Sequence, residues 1–146
     1  MKLLFITPPL TQINTPYPAT AYIKGFLKSR GFDVNQADLG IELILELFSK
    51  EGFERLFEVV NALDYNDLSA NSQRIVALED DYIHTIDSVI RFLQNKDTTL
   101  AHRICNENFL PQASRFDQLD DLEYTFGTMG IQDKARHLAT MYLEDV

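Results

Sequence analysis

Apolar positions in this chain change their spacing near residue 40. Leu3-Leu4-Phe5-Ile6 is an unbroken apolar run that stops at Pro8-Pro9. A run without alternation suits a central parallel strand covered on both faces. A polar stretch follows, Leu10 to Tyr17, containing Thr11, Gln12, Asn14, Thr15 and Pro16. Pro18 to Gly31 then reads as a helix. Its Tyr22, Ile23, Phe26 and Leu27 recur as one face, expected to pack on a sheet. Pro18 fits the first helical turn and Gly31 the position just past the last. Gly25 weakens the middle of this helix, and a close helix–strand approach is the expected compensation. Phe32 to Leu39 reads as a second, weaker strand. Strand, loop, helix and parallel strand make the βαβ unit that opens a doubly wound domain.

Beyond residue 40 the period is helical almost throughout. Ile41, Ile44, Leu45 and Phe48 form one face and Leu43 and Leu47 a second, so this helix is expected to be almost wholly buried or at an interface. Phe53, Leu56, Phe57, Val60 and Leu63 mark another helix, with Ser49 and Gly52 at the break before it. Asp64 to Asn71 is a link of turn formers. The spacing Ile75, Leu78, Tyr82, Ile86, Val89, Leu93 predicts one long helix over 72–94. Asp97 or Thr98 caps a short helix with Leu100, Ala101, Ile104 and Cys105. Asn106 to Phe116 reads as irregular. A helix with Leu119, Leu122 and Phe126 follows, then a last one with Ile131, Ala135, Leu138, Met141 and Tyr142. The fold class expected is α/β, an N-terminal Rossmann-like βαβ unit (1–40) followed by a mainly helical region (41–146), helix-rich overall. Two strands make a poor sheet alone, so either the fold is mainly α with a small β edge, or the missing strands lie elsewhere and the chain is a fragment of a longer protein.

Charge sharpens this picture. The 146 residues carry 13 lysines and arginines against 22 acids, a net −9. Residues 1–30 hold Lys2, Lys24, Lys28 and Arg30 and no acid, which leaves −13 on the rest. So acidic a chain repels phosphate backbones, and no nucleic-acid partner is expected; the basic start suits a small anionic ligand. The apolar run after Lys2 is shorter than the ~7–15 residues of a signal-peptide core, and no membrane span is expected. Cys105 is the only cysteine, which fits a cytoplasmic location.

Candidate chemistry is sparse. The loop Thr7–Tyr17 has no glycine, so neither a dinucleotide fingerprint nor a P-loop is present. Its position after the first strand is where open α/β sheets bind ligands. Thr7, Pro8, Pro9, Thr11, Asn14, Thr15, Tyr17 and Thr20 are the candidate ligand-contacting residues, threonine and asparagine as hydrogen-bonding groups and proline as stiffener, with a merely stiff surface loop as the plainer alternative. Asp38, at the end of the second strand, reads either as a ribose-binding acid or as a turn residue before Gly40. Asp80–His84 and Asp133–His137 have metal-ligand or imidazole-orienting spacing, with solvated i, i+4 pairing as the plainer alternative. His102 three residues before Cys105 suggests a Cys–His nucleophile, against a half-buried structural thiol. Catalytic and metal-binding residues are expected to be absent.

Leu3-Leu4-Phe5-Ile6-Thr7-Pro8-Pro9, Tyr17-Pro18-Ala19-Thr20-Ala21-Tyr22-Ile23 and Leu27-Lys28-Ser29-Arg30-Gly31-Phe32-Asp33-Val34, with Asp38, together resemble the start of B12-binding radical SAM proteins. Magnesium-protoporphyrin IX monomethyl ester oxidative cyclase-like proteins belong to that group. The resemblance covers residues 2–40. It implies cobalamin held by an N-terminal Rossmann-like domain, with an iron–sulfur cluster and S-adenosylmethionine bound further downstream in a parent enzyme. The Cys-x-x-x-Cys-x-x-Cys triplet of such enzymes does not occur in this sequence, nor does the Asp-x-His-x-x-Gly motif of cobalamin-ligating mutase-type domains. What the resemblance implies here is a non-catalytic cobalamin-binding-like segment with a corrinoid ligand and a helical insertion after strand two. The alternatives are a helical protein-interaction module with acidic faces and a small Rossmann-like nucleotide-binding protein. An isolated fragment of this kind is expected to be a homodimer, because its apolar faces exceed what one small chain covers.

Overall fold

Two parallel strands and a larger set of helices make up the computed structural model, which describes residues 1–10, 18–106, 108–118 and 130–146. The fold is helix-rich α/β with one small sheet. It divides into two compact units, Met1–Leu47 and Phe48–Val146.

In the first unit, β1 (Lys2–Thr7) and β2 (Asp33–Asp38) pair in parallel, from Lys2 opposite Asp33 to Thr7 opposite Asp38. Opposed residues share a face, so Leu3, Phe5 and Thr7 lie with Val34, Gln36 and Asp38. Helix α1 (Pro18–Ser29) covers that face: Gln36 Nε2 donates to Thr20 Oγ1 at 3.0 Å, and Val34 is fully buried. Leu4 and Ile6, on the other face, are 59% and 49% exposed.

Helix α1 does not pack as its apolar spacing suggests. Thr20 is buried and Lys24 and Leu27 are half-buried, whereas Tyr22, Ile23 and Phe26 are exposed. Two strands ~4.8 Å apart offer a surface narrower than a helix ~10 Å across. Only one line of side chains finds support. Gly25 lies outside that line, and a methyl group built there meets nothing within 4 Å. The expected close approach at Gly25 is therefore not found.

Gly31 does end α1. Its φ is +83°, Gly31 N–H donates to Lys28 O at 3.0 Å, and Phe32 N–H to Leu27 O at 3.1 Å. That is the paired Schellman arrangement. Gly31→Ala is expected to destabilise this turn by about 1 kcal/mol, seen as faster amide hydrogen exchange in the last turn of α1.

Helix α2 (Leu39–Leu47) starts directly at the end of β2. Of its two expected situations, burial or an interface, burial is not found. Gly40 is its only buried residue, while Ile41, Leu43, Leu45 and Leu47 are exposed. The cause is again the size of the sheet. Among the described residues, Val34 is the only large apolar side chain of this unit that is buried.

The second unit has the continuous core. It contains α3 (Lys50–Asn61), α4 (Ala70–Ala77), α5 (Glu79–Leu93), α6 (Ala101–Ile104) and α7 (Ile131–Asp145). Ser49 caps α3, accepting Gly52 N–H at 3.0 Å, so Gly52 lies inside the first turn rather than at a break. The single helix expected over 72–94 is two helices. Leu78 (φ −110°, ψ 15°) separates them, and its N–H closes a tight turn onto Ile75 O at 3.0 Å. Spacings of three and four do not register this corner, because Leu78 stays in the same stripe as Ile75 and Tyr82. Helix α5 ends like α1, with Asn95 at φ +57° in the glycine role.

Phe53, Phe57, Tyr82 and Tyr142 form the aromatic centre of this core. Tyr82 and Tyr142 stack at 5.1 Å between ring centroids. Tyr142 hydroxyl donates to Tyr82 O at 3.1 Å and lies 3.1 Å from Thr85 Oγ1. At the end of α7, the buried Asp145 carboxylate accepts Ala113 N–H at 3.1 Å and Arg115 N–H at 2.9 Å. The helix expected around Leu119 to Phe126 lies outside the described residues. Among the described residues, no helix is long and apolar enough to cross a membrane.

Candidate functional site at the carboxyl edge of the sheet

Parallel register brings Thr7 and Asp38 side by side at the carboxyl ends of the two strands. There the peptide carbonyls point outward and the chain leaves the sheet, the usual place for a ligand in open α/β folds. Each candidate side chain at this edge has a distinct situation.

Asp38 is committed to the backbone. Its Oδ1 accepts Gly40 N–H at 3.1 Å and Ile41 N–H at 3.2 Å, so it caps the first turn of α2. The turn alternative describes this acid better than ribose binding. Gly40 lets the turn close: a methyl group there would lie 3.3 Å from Asp38 Oδ1 and 3.7 Å from Pro8 O. Pro8 is thus placed against the start of α2, and Pro9 follows in a turn that exposes it.

Thr20 is buried in the first turn of α1, its hydroxyl accepting from Gln36. Thr7 differs. It is 5% exposed, and its Oγ1 is buried with no hydrogen-bond partner among the described residues. Leaving a buried hydroxyl unpaired costs ~1–3 kcal/mol. Three residues on, Leu10 has φ +62° and an exposed side chain, a backbone region that costs an L residue ~1–2 kcal/mol. An unpaired donor and a strained residue at one strand end are the kind of local cost found at binding sites. Thr11, Asn14, Thr15 and Tyr17 lie outside the described residues.

In the second unit the Tyr82 hydroxyl is likewise buried without a partner among the described residues, but it lies inside the packed aromatic centre rather than at a strand end. His84 Nδ1 sits against Asp80 O, a contact within one helical turn to the main chain rather than to the carboxylate. Asp133 pairs with Arg136 at 3.4 Å. Cys105 Sγ donates to Ile131 O at 3.6 Å, and burial pushes its thiol pKa up, away from the thiolate a nucleophile needs. Among the described residues, no group of three or more histidines, cysteines and acids could hold a metal. A groove of about 480 Å³ runs between Arg74, Leu78 and Asp81 and the segment 108–112. The cation lining it, Arg74, is already held by Asp117 at 2.9 and 3.0 Å.

Thr7 is the residue that motif reasoning undervalued. It was one hydroxyl among several in the loop, and only the burial around it sets it apart. Gln36, which fixes Thr20, carries no signal of its own in the sequence. No protein-family model, no curated protein and no solved structure matches the chain.

Proposed function

We propose that this chain is the opening, ligand-contacting segment of a Rossmann-like domain in a larger protein, that its ligand is a corrinoid, and that it catalyses nothing by itself. The observation that carries the reading is the buried Thr7 hydroxyl, without a hydrogen-bond partner among the described residues, at the carboxyl end of a parallel strand. The open sheet face formed by Leu4 and Ile6 supports the fragment part of it, because parallel sheets are normally covered on both sides. Resemblance of residues 2–40 to B12-binding radical SAM proteins supplies the ligand class.

The residues present fit one role toward cobalamin and not another. Thr7 carries a hydrogen-bond donor of the kind that meets the amide-rich rim or nucleotide tail of a corrinoid, and its enclosed hydroxyl would reach such a ligand only once the strand end is uncovered. Residues 1–47 contain no histidine or cysteine to ligate cobalt. When bound, the corrinoid would supply the organometallic chemistry at its cobalt. This chain contributes orientation, through a hydroxyl held by β1 and a loop entry stiffened by Pro8 and Pro9. S-adenosylmethionine and an iron–sulfur cluster belong to the downstream part of the parent, since Cys105 alone does not make a cluster site.

The test is a titration of the whole chain with hydroxocobalamin, by equilibrium dialysis and corrinoid absorbance, beside Thr7→Val. Valine keeps the volume and removes the unpaired hydroxyl. The variant is expected to bind about tenfold more weakly, the worth of one good hydrogen bond, and to be as stable as the native chain or more so. Equal affinity in the two proteins, or no binding to the native chain at about millimolar ligand, rejects the assignment.

A further inference from the structure

One wall of the groove in the second unit carries two opposite charges. Arg74, Ala77, Leu78 and Asp81 all line it. Their i, i+3, i+4, i+7 spacing is that of a single helical stripe, carried across the corner at Leu78. Every lining residue belongs to Phe48–Val146, so the groove is defined within that unit alone.

The facing wall, residues 108–112, is apolar at Phe109, Leu110 and Pro111. It is tied down where it leaves the groove: Ala113 N–H donates to Asp145 at 3.1 Å and Ser114 N–H to Asn71 Oδ1 at 3.0 Å. The groove is thus preformed. Its volume of about 480 Å³ falls in the range of small-ligand sites, ~300–1,000 Å³.

The pair with Asp117 does not exhaust Arg74. Both contacts use Nη1. Nε and Nη2 remain, and that edge is one that grips a carboxylate as a fork. The pair itself is exposed, so it contributes little that a ligand must overcome. Asp81 is exposed too, and its carboxylate has no hydrogen-bond partner among the described residues. Met1–Leu47 carries four cations and four acids, so the whole net −9 lies on the second unit. That field repels a simple anion from Arg74, and a simple cation at Asp81 meets Arg74 in the same groove. A ligand neutral overall, with one charge of each sign at its ends, meets neither obstacle.

We infer that this groove binds a free peptide of two or three residues. Its carboxylate lies on the open edge of Arg74, its ammonium on Asp81, and an apolar side chain against Leu78, Leu110 and Pro111. Arg74 and Asp81 stand two helical turns apart, ~10 Å. An extended peptide of two or three residues spans ~7–10 Å, whereas a single amino acid has both charges on one carbon. The inference does not depend on the corrinoid reading.

Titration of the isotope-labelled full chain with leucyl-leucine, followed by its amide resonances, tests it. The amides of Leu78, Asp81, Phe109 and Leu110 are expected to shift together, with a dissociation constant on the order of 0.1–1 mM for so small a ligand. Leucine, and leucyl-leucine acetylated and amidated at its ends, are each expected to bind at least about tenfold more weakly. Asp81→Asn and Arg74→Lys are each expected to weaken binding about tenfold, since lysine keeps the charge and loses the fork. Asp117→Asn, which releases the Nη1 side of Arg74, is expected to bind as tightly as the native chain or more tightly. No shift of the groove amides at ~10 mM leucyl-leucine overturns the proposal. So does a capped peptide or leucine that binds as tightly as the free dipeptide, or an Asp81→Asn chain of unchanged affinity. If a variant loses its fold, the capped peptide and leucine decide the matter on the native chain.

Discussion

Truncating Tyr142 to alanine is expected to lower the stability of the Phe48–Val146 unit by about 3–5 kcal/mol, the usual cost of deleting a fully buried aromatic ring. Tyr142 is completely buried and stacks on Tyr82, and its hydroxyl holds the Tyr82 carbonyl against Thr85. Alanine leaves a cavity and takes one hydrogen bond from that carbonyl, which keeps Thr85 Oγ1 at 3.4 Å. At about 4–8 °C per kcal/mol for a unit of this size, the melting temperature should fall by at least ~12 °C, followed by far-ultraviolet circular dichroism. Two conservative variants separate ring from hydroxyl. Tyr142→Phe keeps the stack and loses the hydrogen bonds, for about 1 kcal/mol. Tyr82→Phe should cost nothing or stabilise slightly, because the Tyr82 hydroxyl is buried without a partner among the described residues. A melting point for Tyr142→Ala within ~3 °C of native would show that the stack does not hold the core.

Alkaline pH should unfold the same unit. Burial raises the pKa of both core phenols well above the ordinary value. For Tyr82 the nearby negative charge of Asp145 adds to the burial effect; for Tyr142 the hydrogen bond from Thr85 opposes it in part. In the unfolded chain both phenols ionise near pH ~10. Below that pH they are neutral in both states and their stabilising contribution is complete. Above it the unfolded chain sheds protons that the folded one keeps, so stability falls as pH rises. Each tyrosine removes about 1.4 kcal/mol per pH unit in that window. Near pH 11 the pair together removes about 3 kcal/mol, a large part of a typical domain's stability. The expected signature is loss of helical circular dichroism coincident with a late phase of tyrosinate absorbance. In Tyr82→Phe the loss should move to higher pH. Smooth ionisation of every tyrosine with the helices intact would mean that the two rings are accessible to hydroxide.

Periodicity recovered the helices well where a core exists to select one face. Ala135, Leu138 and Tyr142 of α7 are buried as their spacing implies, and Asp97 does begin the short helical segment before Cys105. Periodicity said less where the supporting surface is small. Tyr22 and Phe26 have a helical apolar spacing and remain exposed, because spacing reports which side chains align and not whether anything lies beneath them. The corner at Leu78 was hidden for a related reason: one residue re-aims the chain without leaving the stripe. Asn95, which closes α5 in a left-handed conformation, was readable as a stop signal and marks that end better than Gln94. At the sheet edge the sequence offered several hydroxyls of equal standing. The depth of Thr7 and the tie between Gln36 and Thr20 depend on contacts sixteen or more residues apart, which no local window contains.

The Tyr142–Tyr82 contact spans sixty residues. Closing a flexible loop of that length costs about 3.6 kcal/mol before any contact offsets it. The Phe53 and Phe57 edges reach Tyr82 over about half that separation. The order of assembly follows. Helices α3 and α5 can meet early and cover one side of the Tyr82 ring, while its other side stays wet until α7 arrives. The second unit is therefore expected to form its aromatic half first and to dock α7 last, with Tyr142→Phe speeding unfolding more than it slows folding.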